Sequence, residues 1–290
     1  MPRPDHAKLN PQMSYVAPRD TLELQLVHVW ETTLGVRPIG VTTNFFDFGG
    51  HSLLAVSLMA HIQHTRIEDM AAHYIKALRV VQPQGPYWLG GYSFGGLVAF
   101  EMAQQLHSQG QRVALLALLD TWAPLFDGEV DLFEDDDAKT IATFIGKQNL
   151  PMPYDEFRQL DSDEQALCLL ETARKINVMP LGAGLPEIRR FLHVWKANIR
   201  ATASYMPRIY PNCITLFKSE VPITETDLPE SRIDLRDADS TLGWGKLSAQ
   251  PVTVCTVPGT HETMVDEPHV QILAERLRSY LNAPQSIRDR

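Results

Sequence analysis

The run Gly91-Tyr92-Ser93-Phe94-Gly95-Gly96 constrains this chain more than any other feature, because it stands between an apolar strand pattern, Tyr87 to Gly91, and a helical pattern, Gly95 to His107. It matches G-x-S-x-G, and in a strand-to-helix turn the flanking glycines permit a bend too tight for side chains. Such a bend pushes the serine hydroxyl beyond the end of the sheet and lets backbone N–H groups at the helix start face a developing oxyanion. Ser93 is therefore a candidate nucleophile and the Phe94 N–H a candidate oxyanion donor. The bland alternative is a tight turn that carries a serine.

The surrounding pattern gives that turn a sheet to sit on. A helix is expected over Ile67 to Val80, a turn over Gln82 to Pro86, an amphipathic helix after the serine, and an apolar strand over Val113 to Leu119. This alternation of helix and strand is that of a parallel α/β sheet. Residues 125 to 207 change character: an acidic run, Glu134 to Asp137, precedes several helical patterns, notably Pro186 to Tyr205, with no convincing strand. We read this stretch as a helical insertion. The sheet pattern returns with Cys213 to Lys218 and Val252 to Val257, and a closing helix is expected over Val270 to Leu281.

A serine needs a base, and His261 is placed for it, in a Pro258-Gly259-Thr260 loop after the last apolar strand and before the final helix. A surface loop histidine is the alternative. Of the other nine histidines, His28, His61, His73, His107 and His193 fall within helical patterns, His6 and His64 in linkers, His51 before the elbow, and His269 at the start of the last helix. For the carboxylate that would orient the imidazole, Asp120 ends the strand Val113 to Leu119 at the sheet's C-terminal edge. Its rivals are Asp227, Asp234, Asp237 and Asp239, in the loop after Cys213 to Lys218.

Composition removes several classes of function. A formal charge of −9 and a pI near 5.6 leave no basic face for a phosphate backbone, so no nucleic-acid partner is expected. Cys168, Cys213 and Cys255 are widely spaced and form no CxxC pair. They suggest neither disulfide nor metal site and read as small buried apolar residues. No apolar run approaches the ~20 residues of a spanning helix, and the first residues have no apolar signal core, so the expected setting is cytoplasmic and away from membranes.

Ahead of the sheet, residues 1 to 16 are Pro-rich and polar, reading as a linker. From Thr21 to Gly35 the apolar positions Leu22, Leu26, Val29, Trp30 and Leu34 make one helix face, and a second helix is expected to begin at Ser52. Between them lies Asn44-Phe45-Phe46-Asp47-Phe48-Gly49-Gly50-His51-Ser52.

Taken as they stand, GPYWLGGYSFGGLVAFEMA, ALLALLDTWAP and VPGTHETM resemble the thioesterase domains that end nonribosomal peptide synthetases, over about Arg66 to Leu281. YVAPRDTLELQLVHVWETTLG and NFFDFGGHSLLAVSLMAHI are similar to the first half of a peptidyl carrier domain, and MPRPD to the tail of an adenylation domain. The resemblance implies an α/β-hydrolase-like parallel sheet with a helical lid over about 125–207. It implies a thioesterase domain over 65–290, incomplete at its N-terminal side, and a partial all-α carrier over 17–64. It also implies 4′-phosphopantetheine on Ser52, attached by a phosphopantetheinyl transferase, and upstream adenylation and condensation domains as partners. A phosphate would be favoured at that helix N-terminus; the alternative is a plain helix cap, and the match over NFFDFGGHSLL favours modification. Ser93 would take the peptidyl group from the carrier thioester, and water or an internal nucleophile would release it as an acid or a macrocycle. Phe191, Val194, Trp195 and Ile199 would either line the acyl channel or pack on the sheet.

The chain departs from the family in one place. Only 40 residues lie between Ser52 and Ser93, too few for the end of a carrier and the early strands of a hydrolase sheet. The strand leading to Ser93 would then keep an unpaired edge, and the second oxyanion donor, which comes from a loop after an earlier strand, would be missing. The expectation is a deletion variant, a fragment or an incompletely read gene, with weakened or no activity. The alternatives are a carrier or docking module with an inert thioesterase remnant, a nonfunctional remnant, and a free-standing serine ester hydrolase.

Overall fold

The computed structural model describes residues 15–19, 23–24, 27, 31, 37–41, 65–125, 137–145, 150–175, 184–221 and 240–282. Two compact units divide the chain: Met1–Gln63 with Ala166–Val194, and His64–Gln165 with Trp195–Arg290. In the first, Glu23, Leu24, Val27 and Glu31 are helical, as expected over Thr21 to Gly35. The Glu31 carboxylate accepts the Ile39 N–H at 3.3 Å and pairs with Arg37 at 3.3 Å, and Val27 and Ile39 are buried. The helix expected to begin at Ser52 lies outside the described residues.

Among the described residues the second unit is built on a four-stranded, wholly parallel sheet: β1 (Tyr87–Tyr92), β2 (Val113–Leu119), β3 (Thr215–Ser219) and β4 (Thr253–Val257), paired in that order. Helix α1 (Ile67–Val81) precedes β1, and α2 (Phe94–Ser108) joins β1 to β2. Along the chain between β2 and β3 come the helices α3 (Asp137–Ile145), the single turn α4 (Tyr154–Phe157), α5 (Ser162–Lys175) and α6 (Leu185–Ser204), of which the stretch Ala166–Val194 belongs to the first unit. Helix α7 (His269–Asn282) is the last described element. This is an α/β-hydrolase-like arrangement, as the resemblance implies.

Why these segments take these forms follows from periodicity. Ile67, Met70, Ala71 and Ile75 of α1 bury one stripe, with Glu68 and Asp69 at the positive end of the helix and Arg79 at the negative end. The apolar run of β2 sends Leu116 and Leu118 into one cluster, with Tyr87, Leu89, Phe100, Leu106 and Trp244. Leu115 and Ala117 enter another on the opposite face, with Phe217, Val257, Met264 and Leu273. Both faces are covered, which is why the run is continuous rather than alternating. Each buried Leu or Phe contributes roughly 1.5–3 kcal/mol of transfer free energy.

Two expectations need correction. Helix α2 is not amphipathic: Gly96 to Glu101, Ala103, Gln104 and Leu106 are all buried, because the helix packs against β1, β2 and α1 at once. The cysteines, expected to be small buried residues, are each only partly buried: Cys168, Cys213 and Cys255 alike. Cys255, for example, stands on β4, an edge strand of the described sheet. Among the described residues β1 pairs with β2 alone, so it too is an edge, and its Trp88 is 47% exposed. No described helix is long and apolar enough to cross a membrane.

Candidate active site

All four strands deliver a residue to one rim. Ser93 follows β1, Asp120 follows β2, Ser219 ends β3, and His261 lies just beyond β4, at the C-terminal edge where open α/β sheets place ligands. Ser93 has φ 53° and ψ −124°, a strained conformation for a residue with a Cβ. The close packing of the turn explains why glycines flank it. A Cβ on Gly91 would lie 2.1 Å from the Gly95 carbonyl oxygen, and one on Gly96 would lie 1.9 Å from the Thr121 Oγ1. The Thr121 hydroxyl instead donates to the Ser93 carbonyl at 3.0 Å, tying the elbow to the chain leaving β2.

Asp120 is also held in the left-handed region, at φ 44°, and is 2% exposed. Its Oδ1 accepts the Ser219 N–H at 2.8 Å, and its Oδ2 lies 3.0 Å from the Ser219 hydroxyl. The same Oδ2 is 2.9 Å from Nδ1 of His261, and Nε2 of that ring is 3.1 Å from the Ser93 Oγ. Hydroxyl, imidazole and carboxylate thus stand in one hydrogen-bonded row. The carboxylate is sealed from water, while the His261 side chain keeps 19% of its surface open to an incoming molecule.

The His261 loop is stiffened by its own small bonds. Thr260 N–H donates to the Thr263 hydroxyl at 2.9 Å, Met264 N–H to the Thr260 carbonyl at 3.0 Å, and His269 Nδ1 lies 3.1 Å from the Thr263 carbonyl oxygen. Gly259, at φ 98°, is required there, since a Cβ would sit 2.6 Å from His269 Nδ1. On the other side of the ring stands Tyr92, whose hydroxyl donates to the His261 carbonyl at 2.6 Å. As the first residue of α2, Phe94 has an N–H with no acceptor one turn earlier in the helix, so it is available beside Ser93. Ser52 and the rivals Asp227, Asp234, Asp237 and Asp239 lie outside the described residues.

Sequence reasoning did not single out Ser219, Thr121 or Tyr92. Ser219 had a readable signal, a small polar residue one position past an apolar strand at the catalytic edge. Thr121 and Tyr92 had none, because their partners are distant in the chain.

The model of the thioesterase domain matches residues 51–281, which is most of the chain. The chain belongs to the thioesterase domain family. A second model, the phosphopantetheine attachment site, matches residues 25–72 and indicates a covalently attached 4′-phosphopantetheine. Among relatives of this thioesterase, chondramide synthase cmdD of Chondromyces crocatus is 24% identical over 371 residues, covering 91% of this chain and 9% of its own length. Malpinin synthetase of Mortierella alpina is 43% identical over 218 residues, covering 73% of this chain and 2% of its own. The crystal structure of holo-AB3403, a four-domain nonribosomal peptide synthetase bound to AMP and glycine, matches with TM-score 0.60 and 25% identity, over 94% of this chain and 27% of that one. The thioesterase therefore spans a small part of the proteins it matches. The first alignment, at 371 residues, is longer than the chain's 290, so stretches of that relative have no counterpart here. The expected loss of activity finds no support in these comparisons.

Proposed function

We propose that this chain is the releasing end of a nonribosomal peptide synthetase, in which Ser93, His261 and Asp120 act as nucleophile, general base and orienting acid on a carrier-bound peptidyl thioester. The row of contacts from Ser93 Oγ through His261 to Asp120 carries this reading. His261 Nε2 takes the hydroxyl proton as Ser93 Oγ bonds to the thioester carbonyl carbon. The negative oxygen that forms is met by the Phe94 N–H. Collapse breaks the C–S bond, and the proton passes from His261 to the departing sulfur. A second nucleophile, water or an amine or hydroxyl of the same peptide, then gives its proton to Nε2 and attacks the acyl carbon. The Ser93 oxygen leaves with that proton, freeing an acid or a macrocycle. Asp120, accepting from Nδ1, keeps the ring in one tautomer and favours the transient imidazolium.

Residues 65–290 would carry this chemistry, with 17–64 as a partial carrier domain. Ser52 would hold the 4′-phosphopantetheine, installed by a phosphopantetheinyl transferase, and upstream adenylation and condensation domains would supply the peptide. The relatives' names, chondramide synthase and malpinin synthetase, support a place in such an assembly line. Intact-mass analysis after fluorophosphonate treatment tests the catalytic reading: one adduct, mapped to Ser93 and absent from Ser93→Ala and His261→Ala, is expected. An unlabelled parent chain would overturn it. Incubation with coenzyme A and a transferase should add a phosphopantetheine mass at Ser52. Without that adduct, a free-standing ester hydrolase becomes the better description.

A further inference from the structure

The second position of the G-x-S-x-G run is free in the motif, yet here it touches the base twice. The Tyr92 ring stacks on the His261 imidazole with centroids 4.8 Å apart and planes 22° apart. Its hydroxyl donates to the backbone carbonyl of that same histidine at 2.6 Å. We propose that Tyr92 is a positioning residue for His261, holding both its ring and its backbone in line with the adjacent Ser93.

The need for such a device follows from the site. On its Nδ1 side the imidazole is held by one hydrogen bond, to Asp120. One bond leaves the ring free to tilt about that contact, and a tilt would carry Nε2 away from the serine. A stacked plane removes that freedom. Because Tyr92 and Ser93 are consecutive at the end of β1, plane and nucleophile share one frame, and the 3.1 Å contact from Ser93 Oγ to Nε2 is set between them. Tyr92 is itself anchored, packed against the cluster of Leu115, Ala117, Phe217, Val257, Met264 and Leu273.

The face of an aromatic ring within about 6 Å also favours a cation, so the stack supports the imidazolium that forms in each half of the reaction. The hydroxyl plays no part in proton transfer. Burial pushes its pKa well up, with the Glu262, Asp120 and Asp266 carboxylates adding to the rise, and it stays a donor to the His261 carbonyl.

This inference rests on the proposed role of Ser93 and His261, and the test separates the two. The whole chain, Tyr92→Phe, Tyr92→Leu and Ser93→Ala are compared in hydrolysis of the N-acetylcysteamine thioester of octanoic acid, in the rate of fluorophosphonate labelling, and in thermal melting. Tyr92→Leu should lower kcat and the labelling rate about 100-fold with KM within about 2-fold, the size of effect expected when a base is misplaced. Tyr92→Phe, which keeps the plane and loses one hydrogen bond, should recover to within about 10-fold of the parent. If the Leu variant does not fold, Tyr92→Met, also ringless, replaces it. A Leu or Met variant with parental kcat, a loss confined to KM, or a Phe variant no better than Leu would overturn the positioning role. An inactive Ser93→Ala beside an unaffected Tyr92→Leu sinks this inference alone. A parent without labelling, or a Ser93→Ala variant that still turns over, sinks the underlying reading as well.

Discussion

Helix α2 connects two buried polar clusters that solve the same physical problem in opposite ways. At its N-terminal end stand Ser93, His261 and Asp120. Two turns on, the Glu101 carboxylate accepts from the Tyr205 hydroxyl at 2.6 Å, from the Gln104 amide at 3.0 Å and from the Gln105 amide at 2.9 Å. The Gln104 oxygen in turn accepts the Arg208 N–H at 3.1 Å. In this second cluster the buried side chains are hydrogen-bonded to one another, Glu101 and Gln104 lie within regular helix, and none of these residues is a histidine. Burial is the main reason the Tyr205 pKa rises, with the Glu101 hydrogen bond next, and the hydroxyl remains a fixed donor. In the first cluster two residues sit at positive φ and the histidine is partly open to solvent. Satisfied donors and relaxed backbone hold a structure still, whereas strain and an accessible proton carrier are what chemistry needs.

That contrast can be broken first at Ser93. Ser93→Gly should end turnover, a loss of about 10⁴-fold or more, while relieving the positive-φ strain and stabilising the fold by about 1 kcal/mol. Unchanged or lowered stability in a urea melt would deny that the elbow is strained. Asp120→Asn keeps the shape and should cost about 10³- to 10⁴-fold in kcat by favouring the wrong imidazole tautomer. An acid supplied instead by Asp227, Asp234, Asp237 or Asp239 would leave that rate nearly intact. In the other cluster the effect should move from rate to stability. Tyr205→Phe strips a donor from a buried carboxylate and should destabilise by about 2 kcal/mol with turnover per folded molecule unchanged within about 2-fold. A large rate loss there would mean that the two clusters are coupled. The smallest effect is expected for Ser219→Ala. It removes one hydroxyl from the Asp120 Oδ2 but leaves the Ser219 N–H on Oδ1, so activity should fall about 5-fold, one ordinary hydrogen bond's worth.

Much of the sheet was legible because its strands are short apolar runs closed by chemistry. Val113 to Leu119 is a strand in sequence and in structure alike, and Cys213 to Lys218 and Val252 to Val257 differ from β3 and β4 only at their ends. Helix α2 was misread as amphipathic because its buried polar residues, Glu101 and Gln104, look solvent-facing until Tyr205 and Arg208 are brought against them. Ser93, Asp120 and His261 could be named one by one, each from its place after a strand. Ser219 carried the same signal of place, one position past an apolar strand, and was passed over, whereas nothing local marks what Thr121 and Tyr92 touch.

By itself the sequence determined where the backbone must turn, which segments are strands, and which hydroxyl, imidazole and carboxylates stand at the ends of them, because glycine placement and apolar periodicity act over a few residues. Only the tertiary structure decided that Asp120 meets His261, that Ser219 braces Asp120, and that Tyr92 lies flat on the imidazole. Those contacts join residues about a hundred or more positions apart, and it is the parallel pairing of four strands that brings their ends to one rim.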